Sequence, residues 1–262
     1  MEIVVLIKMV ASVSFDALWE EKAQDRLSGD QKTMNPADAN ALEAALRLRD
    51  AADGRITVIS MGPPAAESIL RDCLARGADR AVHLCDPRLA GADTLATARA
   101  LTAAVRKTGV SELILCGRRA IDSETGHIGA QMAEMLGVPC VPSVTGFSLL
   151  QDGRLTVSAL TEHDTQELRV PLPAVITVCN FINHPHQPTI MGMRAAKKKE
   201  FCRMTAEELE IPITLCGSGG SPTLVRAVER CGFPQRHTQH RVGAEECADF
   251  LCELLTRRGE AP

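Results

Sequence analysis

Along the first two-thirds of this 262-residue chain, short apolar runs alternate with stretches of helical periodicity, and that alternation restricts the fold more than any other feature. Residues 2–9 have the character of a buried strand, apolar from Ile3 to Ile7, and residues 55–60, 81–84 and 112–116 repeat that character. Helical patterns lie between. The first opens at Asn35-Pro36, with Asn35 as N-cap and Pro36 in the first turn. It carries Ala41, Leu42, Ala45 and Leu46 on one stripe and runs to Asp50. Others run from Gly62-Pro63-Pro64 to residue 75, over residues 94–106, and up to residue 136. Strands that are apolar throughout are covered on both faces. The pattern therefore predicts an α/β fold, a doubly wound parallel sheet with helices on both sides.

The pattern changes after Pro139. Residues 144–150 and 154–160 flank Gln151-Asp152-Gly153, which predicts an antiparallel hairpin inserted into the fold, and residues 174–178 return to the sheet. Asn183-His184-Pro185-His186-Gln187-Pro188 is too rich in proline for a helix or strand, and residues 194–199 are a basic run of the kind that solvates a helix end. Gly217-Ser218-Gly219-Gly220-Ser221-Pro222 has linker composition. Residues 244–257 form a last amphipathic helix with Phe250, Leu251, Leu254 and Leu255 on one stripe. The organisation expected is an α/β domain over residues 1–215 and an extended C-terminal arm over residues 216–262.

Several function classes are excluded early. A net charge of −4, 3% aromatic residues, no tyrosine and a single tryptophan, Trp19, provide neither the positive face nor the stacking surface of a nucleic-acid binder. The longest apolar runs, residues 3–7 and 174–178, are far shorter than the roughly 20 residues that span a bilayer, and the N-terminus lacks the form of a signal peptide. Ten cysteines include no C-x-x-C pair and fit reduced, structural thiols in the cytoplasm. The seven histidines include no set with metal-ligand spacing, so no metal is expected.

In an open parallel sheet, ligands bind outside the carboxyl ends of the strands, where strand order reverses. Four segments fall there: Ile7-Lys8-Met9, Ser60-Met61-Gly62, Gly91-Ala92-Asp93-Thr94 and residues 117–129. Ala120-Ile121-Asp122-Ser123-Glu124-Thr125-Gly126-His127-Ile128-Gly129 follows a strand and opens a helix. A helix N-terminus with nearby hydroxyls suits a phosphate, although Ser123 or Thr125 could equally cap the helix. No catalytic constellation stands out. Asp122 and Glu124 sit where the helix dipole favours acids, and the glycine-rich residues 217–223 come after the sheet instead of after its first strand. The chain reads as a nucleotide holder.

A family resemblance runs nearly end to end. It is carried by Val5-Leu6-Ile7-Lys8, Met34-Asn35-Pro36 with Ala41-Leu42-Glu43-Ala44-Ala45-Leu46-Arg47-Leu48, and Ser60-Met61-Gly62-Pro63-Pro64. Gly77-Ala78-Asp79-Arg80, Gly91-Ala92-Asp93-Thr94-Leu95-Ala96-Thr97, Cys116-Gly117-Arg118-Arg119-Ala120-Ile121-Asp122, Pro173-Ala174-Val175 and Ala196-Lys197-Lys198-Lys199 extend it. In these segments the chain resembles the beta (small) subunit of electron-transfer flavoproteins. The resemblance implies a heterodimer with an alpha subunit that holds the electron-shuttling FAD, and an adenine nucleotide in this chain's α/β domain. Ile7, Asn35 and Met61 would line the adenosine end, and Lys8 would also belong to the cofactor site. Asp93, Thr94 and Thr97, with Ala120, Ser123, Glu124, Thr125, Gly126, His127 and Ile128, would hold the phosphates.

The nucleotide implied is FAD, as in the electron-bifurcating branch, where a hydride comes from NADH; AMP, as in simple electron carriers, is the alternative. Thr125 and the Gly91–Thr97 run resemble the FAD-holding branch. Ser123, Glu124, His127 and Ala130 depart from it, and Ser123 would crowd a diphosphate if its backbone required positive φ. The resemblance also implies docking of a dehydrogenase, often one acting on an acyl-CoA in that family, through residues 183–199 with Ile190 as anchor, and packing of the C-terminal arm on the alpha subunit. His186 and Gln187 stand where the family shows arginine and an aromatic residue. A stand-alone nucleotide-sensing module of the same fold is the rival reading; it needs neither arm nor docking loop.

Overall fold

The apolar run at the N-terminus forms β1 (Glu2–Leu6), four of whose five residues are buried. The computed structural model describes residues 1–11, 32–109, 111–151, 153–226 and 243–258. Trp19, Asp152 of the expected hairpin turn and Cys231 lie outside the described residues, as do the side chains of Leu254 and Leu255. β1 pairs in parallel with β4 (Arg55–Met61) on one side and β6 (Leu113–Gly117) on the other, Val5 standing opposite both Val58 and Leu115. Beyond β4 come β5 (Arg80–Leu84) and β11 (Glu200–Met204). Beyond β6 come β10 (Ala174–Val178) and β7 (Cys140–Gln151), all parallel to their neighbours. Antiparallel β8 (Arg154–Leu160) and β9 (Thr165–Pro171) complete the order β11-β5-β4-β1-β6-β10-β7-β8-β9.

Helices α1 (Pro36–Ala52) and α2 (Glu67–Arg76) bury Ile3, Val5, Ile56 and Val58 on one face of the sheet. Helices α3 (Thr94–Thr108) and α4 (Ile128–Leu136) bury Val4, Leu6, Ile59 and Ile114 on the other. Successive residues of β1 thus serve opposite cores, which is why the strand is apolar without alternation. The expected doubly wound parallel sheet with an antiparallel hairpin is the fold observed.

Five strands go beyond the sequence reading. β9 exposes every residue except Val170, and β11 is a half-exposed edge carrying Glu200 and Arg203, so neither shows an apolar signature. β7 begins at Cys140, in parallel with β10, and only later turns to pair with β8; its register shifts there. A small antiparallel pair, β2 (Met9–Ala11) and β3 (Lys32–Met34), leads into α1.

The chain divides into residues Met1–Leu224 and Val225–Pro262. Residues 216–224, expected to begin the arm, lie with the first unit: a 3-10 turn at Gly217–Gly220 places the Ser218 amide on Ala90 O at 3.0 Å. In the second unit α6 (Ala244–Arg258) carries Glu245 and Glu246 in its first turn. Among the described residues no helix is long and apolar enough to cross a membrane, and the cysteines are free thiols.

Candidate functional site

Strand order reverses at β1, so the chain leaves β1 and its neighbour β6 in opposite directions and a crevice opens beyond their carboxyl ends. Its base is held by a residue the sequence reading passed over, Asp38 in the first turn of α1. One carboxylate oxygen accepts the Lys8 amide at 2.8 Å and the other accepts the Gly117 amide at 2.9 Å. A single side chain thereby ties the loop after β1 to the end of β6. Asp38 is 6% exposed, and burial pushes its carboxyl up to about 6 against the opposing pull of the Lys8 amide, Asn35 and the Gly117 amide. Gly117 is required by the approach: a Cβ there would lie 2.5 Å from Asp38 Oδ1 and 2.6 Å from Ala37 Cβ.

Asn35 occupies the N-cap position of α1, as expected, but its side chain makes no capping bond. The Asn35 carbonyl already takes the Asp38 and Ala39 amides, each at 3.0 Å. The buried side chain instead clamps the loop above, Nδ2 donating to Arg119 O at 3.1 Å and Oδ1 accepting the Ile121 amide at 3.2 Å. Beyond this clamp Ala120 O accepts the amides of Ser123 at 3.4 Å and Glu124 at 2.8 Å, which turns the chain. The left-handed positions fall on Glu124 (φ 49°) and Gly126 (φ 66°), so Ser123 escapes the strain that a positive φ would have imposed. Lys8 Nζ reaches Asp122 at 2.7 Å and Ser123 Oγ at 3.4 Å, while Arg119 pairs with Glu124 at 3.2 Å. These exposed pairs add little to stability but set the charge the loop presents.

Helices α3 and α4 start on the same side of the sheet and meet there, Gln131 Nε2 donating to Thr94 Oγ1 at 3.2 Å. Gln131 Oε1 is buried and has no hydrogen-bond partner among the described residues. No side chain caps α4; His127 occupies the cap position without bonding there. Its first amides, which no carbonyl of the helix can reach, therefore have no capping side chain either. α3 differs: Asp93 Oδ1 caps it through the Ala96 amide at 3.0 Å. Asp93 Oδ2 accepts the Thr223 amide at 3.1 Å and the Thr223 hydroxyl at 2.8 Å, and the Asp93 amide donates to Ser221 Oγ at 2.8 Å. Desolvation raises the Asp93 carboxyl, but these bonds outweigh it and hold the group below the ordinary range. Asp93 is spent within the protein, pinning residues 221–223 over the start of α3.

The expected site residues thus form two groups. Lys8, Asn35, Ala120, Ser123, Glu124, Thr125, Gly126 and His127 belong to the β1–β6 side, and the last five are exposed. Asp93, Thr94, Thr97 and Ile128 belong to the two helix starts, the Thr97 amide bonding Asp93 O at 3.0 Å. The side chains of Ile7 and Met61 do not meet: Ile7 packs in the α1–α2 core and Met61 against the core of the opposite face. Ile190 lies on another element. An uncapped helix start, hydroxyls at Thr94, Thr97, Ser123 and Thr125, and an orphan acceptor on Gln131 are donors and acceptors suited to a phosphate ester bearing further hydrogen-bonding groups. Among the described residues no group of three or more His, Cys, Asp or Glu could hold a metal ion.

Residues 27–209 match the model of the electron transfer flavoprotein domain. The electron transfer flavoprotein subunit beta of Thermoanaerobacterium thermosaccharolyticum is 41% identical over 262 residues, covering 98% of this chain and 99% of the relative. That of Megasphaera elsdenii is 37% identical over 235 residues, 87% of each chain. The caffeyl-CoA reductase–Etf complex subunit CarD of Acetobacterium woodii is 37% identical over 193 residues, 73% of each. With a family match over most of its length and relatives of this kind, the chain belongs to the electron transfer flavoprotein family, as a subunit of the beta type.

Proposed function

We propose that this chain holds an adenine nucleotide, FAD in preference to AMP, between the β1–β6 crevice and the starts of α3 and α4. The observation that carries the reading is the junction of Thr94 and Gln131, where an uncapped helix start lies beside a buried acceptor lacking a donor. On this reading the first amides of α4 and the hydroxyls of Thr94 and Thr97 hold phosphate oxygens, and Gln131 Oε1 accepts from a hydroxyl or amide of the ligand. Asp38 and Asn35 keep the backbone of residues 8 and 117–121 in place without touching the ligand. FAD, when bound, supplies hydride and electron-transfer chemistry; the protein supplies position and electrostatics.

The chain then works in the cytoplasm as one half of a heterodimer, linking NADH or a dehydrogenase to the flavin of an alpha subunit. The arm after residue 224, with α6, packs on that subunit. The dehydrogenase is of the acyl-CoA type, a reading supported by the name of the relative that belongs to a caffeyl-CoA reductase complex, and it docks at Ile190, which is 68% exposed.

AMP is the second reading, favoured by Ser123, Glu124, His127 and Ala130, which depart from the pattern of the FAD-holding branch. The test is to co-express the chain with its alpha subunit, denature the purified heterodimer and identify the nucleotides released. Two FAD per heterodimer support the preferred reading and justify an NADH oxidation assay. One FAD and one AMP make this a simple carrier. One FAD with no second nucleotide overturns the proposal.

A further inference from the structure

Residues 183–189 contain no regular structure, yet the segment is fixed at both ends. Asn183 is buried and shares three hydrogen bonds with Asn40 of α1, at 2.8, 2.9 and 3.0 Å. At the other end Thr189 caps α5 (Ile190–Ala196) through the Gly192 amide at 3.0 Å. Gly192 lies so close to the end of α2 that a Cβ would stand 2.2 Å from Ala75 O. His186 sits between these anchors. Its Nδ1 is 2.7 Å from Glu43 Oε2 on α1, and its Nε2 is 3.0 Å from Arg76 O at the end of α2. The His186 amide also donates to Glu43 Oε2 at 3.3 Å, and its carbonyl accepts Arg76 Nη1 at 2.6 Å.

A carboxylate and a backbone carbonyl only accept hydrogen bonds. A neutral imidazole carries one N–H and satisfies one of them; the imidazolium carries two and satisfies both. The charged groups around the ring are Glu43 and Arg47 on α1, paired at 3.0 Å, and Asp72 and Arg76 on α2, paired at 2.7 Å. Although burial raises the Glu43 carboxyl, its bonds from His186 and Arg47 hold it below the ordinary range, so it is an anion from the ordinary carboxylate range upward.

We propose that His186, as imidazolium, is the positioning residue of the segment that exposes Phe181, Ile190, Met191 and Met193, clipping it to α1 and α2 at once. The role assigned to that segment rests on the docking reading above. When the ring loses a proton it keeps one of its two bonds, and the middle of the segment is held less tightly, by the remaining ring bond and the backbone bonds of His186 to Glu43 and Arg76. Delivery of electrons through this face then weakens as pH rises.

The test is amide hydrogen exchange of the heterodimer at about pH 5.5 and about pH 8.5, corrected for intrinsic exchange. Protection across residues 183–193 of the wild type should fall roughly tenfold from the lower to the higher pH. His186→Gln should show the lower protection at both values. His186→Arg, a permanent two-pronged donor, should keep the higher protection at both. Equal protection of the wild type at the two pH values, or full protection in His186→Gln, overturns the proposal. Electron transfer to the dehydrogenase is measured in parallel with Ile190→Asp. If that variant transfers normally, the docking reading fails, while the exchange data still decide the role of His186.

Discussion

At the carboxyl edge of the sheet the groups free to bind are backbone amides at a helix start and hydroxyls beside them, and the side chains beneath, Asp38 and Asn35, serve to hold that backbone. The flank of α1 and α2 is assembled the opposite way. There the backbone of residues 183–189 has no partner strand or helix of its own, and Asn40, Glu43 and Arg76 hold it by side-chain and terminal contacts. A site built from backbone follows from topology and tolerates changes in its exposed side chains. A surface built from side chains depends on each of them, and can acquire a dependence on conditions from one titratable residue.

The contrast is broken most severely at Gly117. Gly117→Val must push Ala37 and Asp38 away from the end of β6, at a cost of about 3 kcal/mol in denaturant unfolding and with loss of bound nucleotide. Unchanged stability would show that the clasp at the crevice base is dispensable.

Asp38→Asn places an amide N–H₂ against a backbone N–H and should cost roughly 2 kcal/mol near neutral pH. Its pH signature is sharper. The folded-state carboxyl titrates at about 6 against an ordinary 3.8, so between those values the native state binds more protons than the unfolded chain. The contribution of Asp38 is therefore fully present below about pH 4 and is lost as pH rises through 6, a swing on the order of 3 kcal/mol. Urea titrations from pH 7 to 4 should show this component in the wild type and lack it in Asp38→Asn.

On the flank, Asn40→Ala removes the donor to the Asn183 carbonyl and to Asn183 Oδ1, while Asn183 Nδ2 keeps its bond to the residue-40 carbonyl. It should cost about 2 kcal/mol while leaving nucleotide affinity unchanged, as isothermal titration would report. Loss of nucleotide in this variant would mean that the two regions are coupled and the contrast false. The smallest effect on stability belongs to Ile190→Asp: within about 0.5 kcal/mol by thermal unfolding, because the side chain is 68% exposed, yet with electron delivery to the dehydrogenase reduced roughly tenfold or more.

The same contrast explains what the sequence disclosed. Parallel strands buried on both faces, such as β1, announce themselves as unbroken apolar runs, and their carboxyl ends locate the crevice without any knowledge of side-chain contacts. β9 and β11 stayed hidden because each lies at a polar edge of the sheet and buries little. Asp38 was missed because an acid in a first helical turn has an ordinary explanation in the helix dipole, and only the fold brings Gly117, 79 residues later, onto its second oxygen. Asn35 was placed correctly at the helix start but given the usual capping role, whereas its side chain holds Arg119 and Ile121 instead. Lys199 belongs to a run read as a solvated basic face, yet its Nζ donates to Leu74 O at 3.0 Å and Ala78 O at 2.6 Å, closing the end of α2. Gln131 carries no sequence signal at all; its importance arises only where two helix starts meet.

The central claim is that nucleotide is held by the carboxyl edge and leaves the α1–α2 flank untouched. Hydrogen exchange of the heterodimer, stripped of the nucleotide held by this subunit and then reloaded, tests it directly. The account predicts that reloading protects amides at residues 93–97 and 118–131 and changes nothing over residues 181–196. Protection confined to residues 181–196, or none in residues 118–131, would contradict it.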